Sequence, residues 1–360
     1  MKILDRYLLR EFSTYLALGL TGFITIFIVV DLFEKIDVFL DHHAPAHLIA
    51  RFYLYRAPEV VVQVLPVALL LATFLALGQL NKFGELTAMR AAGRSLLDIL
   101  RPVFGVAIFA VLLSVLLGEV VVPRANRERD RIYREQIQRI HLAEMTERAD
   151  VTFLGQGSRI YFMKLYVIPE HRMHEVALQE FRTGALWRRT DAAEASWDGG
   201  QWVFSSGFIR TFDENGDEHA QPFTHLARPD LAERPEDFAK ENRQPDEMNY
   251  FELHRYVTKL RESGGRVANY LVDLHLKLAF PLINLIVVLI GASIATRIRT
   301  QSPALGFGLS VGISFIYYGF MRTGQALGHN GTLPPYLAAW LGDLLFGAVG
   351  VVMMLRAQRR

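Results

Sequence analysis

Apolar residues gather in six long runs along the chain, three before and three after a polar block of roughly 150 residues. A helix rises about 1.5 Å per residue, so about 20 apolar residues cross the roughly 30 Å of hydrocarbon in a bilayer. Phe12–Val30, Val60–Leu80, Leu278–Thr296 and Pro303–Met321 reach that length without a charge. Pro102–Gly118 continues past Glu119 to Val122, and Pro335–Leu355 carries only Asp343. One soluble core of 360 residues has no room to bury six such helices. The pattern predicts a helical membrane protein with three spans in residues 1–122, an inserted domain in 123–269 and three more spans in 270–360.

The inserted block has a different period. Arg159–Ile168, Glu175–Phe181, Leu186–Asp191, Gln201–Phe204 and Phe208–Phe212 are short and rich in aromatic or β-branched residues, with turn signals at Asp198-Gly199-Gly200 and Asn215-Gly216. Closely spaced short strands without intervening helices predict a sandwich or β-jellyroll. A helix over Arg124–Met145 leads into this domain. Another over Tyr250–Ser263 leaves it, with an apolar stripe of Leu253, Tyr256, Val257 and Leu260 and a Gly264-Gly265 stop.

Charge fixes the expected orientation. Lys2, Arg6, Arg10, Lys82, Arg90, Arg94, Arg101, Arg297, Arg299, Arg356, Arg359 and Arg360 fall on one side of the spans, against Lys35, Arg51, Arg56 and Arg322 on the other. Basic short loops stay cytoplasmic, so both termini are expected in the cytoplasm and the inserted domain outside it. The first apolar run is too long for a signal-peptide core and is read as a retained helix. The net charge of +2 is absorbed by this topology, and the absence of cysteine excludes disulfides and thiolate metal sites. His42, His43 and His47 lie together in a polar loop without matching carboxylates, so no metal is expected there. No G-x-x-x-x-G-K-[ST], H-E-x-x-H, G-x-S-x-G or C-x-x-C motif occurs. ATP hydrolysis by this chain is therefore not expected.

Three segments carry candidate chemistry. Residues 81–98 form a short connection between the second and third runs. Helical spacing places Leu86, Met89 and Gly93 near one face and leaves Glu85, Arg90 and Arg94 available to a partner; a basic interfacial helix fits the same pattern. Arg124, Arg127, Arg131 and Arg134 are spaced 3, 4 and 3, which aligns guanidiniums along one face of an α-helix. Such forks match phosphate geometry, whereas Glu128 and Asp130 nearby also fit an ordinary charge-laced helix. Asp31, Glu34, Lys35 and Asp37 end the first run and, on pattern alone, read first as an interfacial boundary. Glu119, Asp343 and Lys277 complete the ionisable groups within or beside the runs.

Glu85-Leu86-Thr87-Ala88-Met89-Arg90-Ala91-Ala92-Gly93 resembles the coupling-helix motif of the LptF/LptG family of lipopolysaccharide export permeases. Leu4-Asp5-Arg6-Tyr7, the stretch Leu253–Gly264, Lys277-Leu278-Ala279-Phe280-Pro281 and Leu333-Pro334-Pro335 are similar to the family as well, and most to its LptG branch. The resemblance implies six spans with a periplasmic β-jellyroll between the third and fourth, in the bacterial inner membrane. It implies a non-catalytic subunit of an ABC transporter that extracts lipopolysaccharide from the outer leaflet and passes it to a periplasmic bridge. Implied partners are an LptB-like ATPase dimer that uses the ATP, an LptF-like permease and an LptC-like single-helix jellyroll protein; neither a bound cofactor nor nucleic acid is expected. It assigns ATPase coupling to Glu85, Leu86, Met89, Arg90 and Gly93, headgroup contact to Arg131, Arg134 and Lys35, and a lateral gate to Asp37. At the last segment relatives carry a basic residue where this chain has Glu34, next to Lys35. The alternative is a membrane-bound enzyme modifying lipids or cell-wall precursors, for which the inserted domain offers only His171, His174, His219 and His225.

Overall fold

The computed structural model describes residues 3–138, 147–156, 158–182, 185–213, 218–239, 244–262, 267–297 and 303–358. They fall into two compact units: Met1–Ile132, Pro245–Tyr250 and Ala268–Arg360 form a helical unit, and Tyr133–Gln244 with Phe251–Val267 forms the other. The Asn215-Gly216 turn, the Gly264-Gly265 stop and the termini beyond residues 3 and 358 lie outside the described residues.

In the helical unit, α1 covers Ile3–Asp41, α2 Ala46–Lys82, and the short α3 Glu85–Ala91. Helix α4, Leu96–Leu116, starts where the Ser95 hydroxyl accepts the backbone N–H of Asp98 at 3.1 Å, a side-chain cap for an otherwise unpaired donor. A π turn over Leu117–Val121 joins it to α5, Val122–Arg131, and a second π turn covers Ile132–Ile137.

The other unit is built on one antiparallel sheet. Strands β1 (Glu147–Leu154), β2 (Arg159–Val167), β3 (Arg172–Arg182), β4 (Ala185–Asp198), β5 (Gln201–Phe212) and β6 (Glu218–Arg228) pair in chain order. Helices α6 (Pro235–Ala239) and α7 (Tyr250–Glu262) follow. Gly199 and Gly200 both have positive φ, +56° and +86°, and close the β4–β5 hairpin in a conformation that suits a two-residue loop. The pairing is that of a meander, and a crease turns it into two layers. Asp150 in β1, Glu175 in β3 and Ser206 in β5 have φ of +50°, +47° and +53° and fall on one rung, skipped in the register of every pair it crosses. The inward positions change parity there: Tyr161 and Met163 precede Tyr166 in β2, and Met173 precedes Val176 and Leu178 in β3. A slip in one strand turns its side chains to the other face. Made in neighbouring strands together, it keeps one face inward and bends the whole sheet.

The bend brings remote ends together. Arg228 pairs with Trp202 at one end of the strands, while Glu180 sits between Arg159 and Arg188 at the other. Strand geometry would hold such ends about 30 Å apart in a flat sheet, yet Arg228 Nη2 lies 2.9 Å from Glu180 Oε1. Between the layers Phe238 of α6 packs on Phe153, Tyr161, Tyr166 and Trp202, with ring centroids 4.5–6.0 Å apart. Ser206 is exposed, so its left-handed backbone can be tested without disturbing this core. Ser206→Gly is expected to raise the stability of the sheet by up to about 1 kcal/mol, and Ser206→Val to lower it by a similar amount. Tryptophan fluorescence during thermal unfolding reads this, because Trp187, Trp197 and Trp202, three of the chain's four tryptophans, lie in β4 and β5.

The helical unit resumes with α8 (Ala268–Ala279), a 3₁₀ turn at Phe280–Leu282 set by Pro281, α9 (Ile283–Ala295), α10 (Pro303–His329) and α11 (Pro335–Gln358). Among the described residues, six helical runs are long and apolar enough to cross a membrane: Ile3–Asp41, Ala46–Lys82, Leu96–Ile137, Ala268–Ala295, Pro303–His329 and Pro335–Gln358. Leu69, Leu70 and Leu77 of α2 form the core with Val103 and Ala107 of α4 and Val287, Val288 and Ala292 of α9. Gly324 lets α10 approach α11 closely, since a Cβ there would lie 2.4 Å from the Ala338 carbonyl oxygen. Ile26, Phe33, Ile108, Phe109, Phe315 and Ile316 point outward and exposed. Apolar surface on that scale marks contact with lipid or with other apolar helices.

Candidate functional site

The α2–α4 connection is built around two glycines. Gly84 (φ +71°) reverses the chain after α2, and Gly93 (φ +82°) releases it from α3. The three-residue step from Leu86 to Met89 turns both inward against Leu8, Leu80, Leu96 and Ile99, where they are 4% and 8% exposed. These two side chains seat α3 on its own unit. The Arg94 guanidinium meets the Asp5 carboxylate at 3.3 Å and ties the connection to α1. The outward surface includes Lys82, Phe83, Thr87, Ala88, Arg90 and Gly93, with Glu85 half-buried at its edge beside Tyr7. Phe83, 64% exposed, adds an aromatic ring that the sequence reading passed over. The signal was there in a large apolar residue placed between Lys82 and Gly84.

At the opposite end of the apolar runs the structure assembles a chain of alternating charges. Lys35 Nζ is 2.6 Å from Asp31 Oδ1, and the Tyr53 hydroxyl donates to Asp31 Oδ2 at 3.1 Å. Arg56 lies 3.7 Å from Asp31 and 2.9 Å from Glu59, and Glu59 receives Arg129 at 2.6 Å. Arg129 also meets Asp130 at 2.7 Å and Asp246 at 3.6 Å. The network joins α1, α2, α5 and the segment Pro245–Tyr250. Asn126 and Arg127 donate to the carbonyls of Asp246 and Glu247, and Glu119 accepts the N–H of Tyr250 at 2.7 Å. Ionisable groups beside an apolar span are retained where each finds a partner.

Lys35, expected at a headgroup, is held here by Asp31, a carboxylate of its own helix. Asp37 is exposed farther along α1. Arg131, the last residue of α5, is exposed, and Arg127 is turned to Glu247. Arg134 lies in the π turn Ile132–Ile137, so the α-helical spacing that aligned the four arginines does not extend beyond Arg131. Arg129 was missed because it lies off the 3-4-3 stripe. Its spacing from Ala125, Asn126 and Ile132, all buried, was the available signal. His42, His43 and His47 are exposed between α1 and α2, and among the described residues no cluster of His, Asp and Glu is arranged to hold a metal.

Known proteins are similar to this sequence, one of them over nearly its whole length. The family described as lipopolysaccharide export system permease LptF/LptG matches residues 6–356. The lipopolysaccharide export system permease protein LptG of Escherichia coli K12 is 22% identical across 98% of both chains. The corresponding LptF of the same strain is 28% identical over 43% of this chain and 40% of its own, as is that of Shigella flexneri. Six membrane-length helices, an inserted antiparallel sheet and a family match from Arg6 to Arg356 agree: the chain belongs to the LptF/LptG family of lipopolysaccharide export system permeases.

Proposed function

We propose that this permease sits in the bacterial inner membrane with both termini cytoplasmic and the sheet domain in the periplasm. It works there as the non-catalytic membrane subunit of an ABC exporter. An LptB-like ATPase dimer docks on α3 and an LptF-like chain completes the cavity. Lipopolysaccharide enters from the outer leaflet beside Asp37 with its phosphates toward Arg131 and Arg134, and leaves by way of the sheet domain and an LptC-like protein. Apolar helix faces suit acyl chains, since each buried methylene contributes about 0.8 kcal/mol. Moving the headgroup requires work from the ATPase.

The observation that carries this reading is the build of α3. A seven-residue helix is locked from behind by Leu86, Met89 and the Arg94–Asp5 pair, so a force on its outer surface reaches the spans without being absorbed by the loop. Arg90 and Gly93 lie on that surface with Glu85 at its edge. Glu85→Ala is expected to abolish co-purification of the ATPase while membrane insertion continues. Full ATPase recovery together with normal lipid release would show that coupling runs elsewhere.

A further inference from the structure

The charge chain beside the α1–α2 connection has a composition that suggests more than a structural role. Lys35 and Arg56 are partly open, with side chains 27% and 19% exposed, whereas Asp31 between them is 7% exposed and held by the Tyr53 hydroxyl. A carboxylate set between two reachable cations has the geometry of a bound phosphate oxyanion. We propose that Asp31 is an internal counter-anion: it occupies Lys35 and Arg56 in the lipid-free protein, and the phosphate of an anionic lipid enters by displacing it. This rests on the lipid-transport reading above and adds an autoinhibitory contact to it.

The physical reason for such an arrangement is the cost of an unpaired charge at a membrane boundary. Two cations waiting for a lipid would be poorly solvated between its visits. Asp31 keeps them paired, and Arg56 passes the pairing on to Glu59 and Arg129. When a phosphate takes Lys35 and Arg56, Asp31 retains only the neutral Tyr53 hydroxyl. The pairing between α1 and α2 loosens, which links occupancy by an anionic headgroup to the freedom of the first span. Uncharged or zwitterionic lipids bring no net negative charge with which to compete.

The test measures binding to the full chain, purified with its accompanying subunits in phosphatidylcholine nanodiscs. Its probes are bisphosphorylated lipid A, dephosphorylated lipid A and inorganic phosphate. Asp31→Asn is expected to tighten binding of bisphosphorylated lipid A roughly three- to tenfold and to leave the dephosphorylated form unchanged. Asp31→Glu should restore the original affinity. Tyr53→Phe releases the carboxylate without changing charge and should shift affinity in the same direction by less, which keeps the test decisive if Asp31→Asn fails to fold. Equal affinity for bisphosphorylated lipid A in all variants overturns the counter-anion alone. So does an equal gain for the dephosphorylated form, or a gain for inorganic phosphate as large as for the lipid. No binding of lipid A by any form, the unaltered protein included, overturns both the counter-anion and the transport reading.

Discussion

Replacing Glu180 with alanine is expected to destabilise the sheet domain by about 3 kcal/mol, because removing one partner of a buried ion pair leaves the other charge uncompensated. Glu180 is 5% exposed at its side chain and accepts from Arg159, Arg188 and Arg228, while Arg228 is 7% exposed and shares Asp230. The pair closes the folded sheet, so the loss falls on the contact between the layers. The same cluster predicts an acid sensitivity. Burial pushes the Glu180 carboxyl up, but hydrogen bonds from Arg188 and Arg228 outweigh it and hold the group below its ordinary 4.5. Asp230 is held down to about 2, chiefly by the Arg228 hydrogen bond. A carboxyl depressed by folding stabilises above its ordinary range and loses that contribution as pH falls through its folded value. Tryptophan fluorescence should therefore show the domain weakening from about pH 4 down to about pH 2. Glu180→Ala should make this acid step smaller. A variant as stable as the unaltered protein would mean that the cluster does not close the layers.

Arg129→Met is expected to cost the helical unit a comparable 3–5 kcal/mol, since Glu59, Asp130 and Asp246 lose the cation they share. Glu59→Gln relieves part of that strain by removing the nearest orphaned carboxylate. The double variant should then be more stable than the sum of the two single losses, measured as thermal resistance of the detergent-solubilised protein in a double-mutant cycle. Additive losses would show that Arg129 and Glu59 are neighbours without appreciable coupling. Arg131→Met, on the exposed side of the same helix, should cost far less stability than Arg129→Met. That contrast separates the arginine that holds the helices together from those proposed to meet lipid.

The membrane spans were legible because length and absence of charge are properties of a sequence window. Helix ends were less so: α1 runs to Asp41 and the third span to Ile137, since charged turns extend a helix beyond hydrocarbon at little cost. In the sheet domain, the expected strands break where the crease lies. Glu175–Phe181 begins on Glu175, Leu186–Asp191 stops before Ala193, and Gln201–Phe204 and Phe208–Phe212 are halves of β5 on either side of Ser206. Alternation is the signal by which a strand is read, and a parity change interrupts it. Strand β6 escaped because it is an edge strand with Pro222, exposed along most of its length. At the site, sequence spacing identified cations. The Lys35–Asp31 pair lies within reach of i,i+4 spacing on one helix, but spacing could not show that Arg129 bridges two elements, because Glu59 and Asp246, the carboxylates that complete those contacts, lie 70 and about 120 positions away in the chain.

In the proposed transport cycle, a seated α3 on one side of the spans works on anionic lipid at the other, and ATP drives lipopolysaccharide out through this chain. The most direct measurement is ATP-dependent release of lipopolysaccharide from proteoliposomes that contain this permease with its partner subunits. Release should require the chain and should fall to background in the Glu85→Ala protein, even where that protein is inserted at normal levels. Release that continues at full rate without the chain, or unchanged with Glu85→Ala, would contradict it.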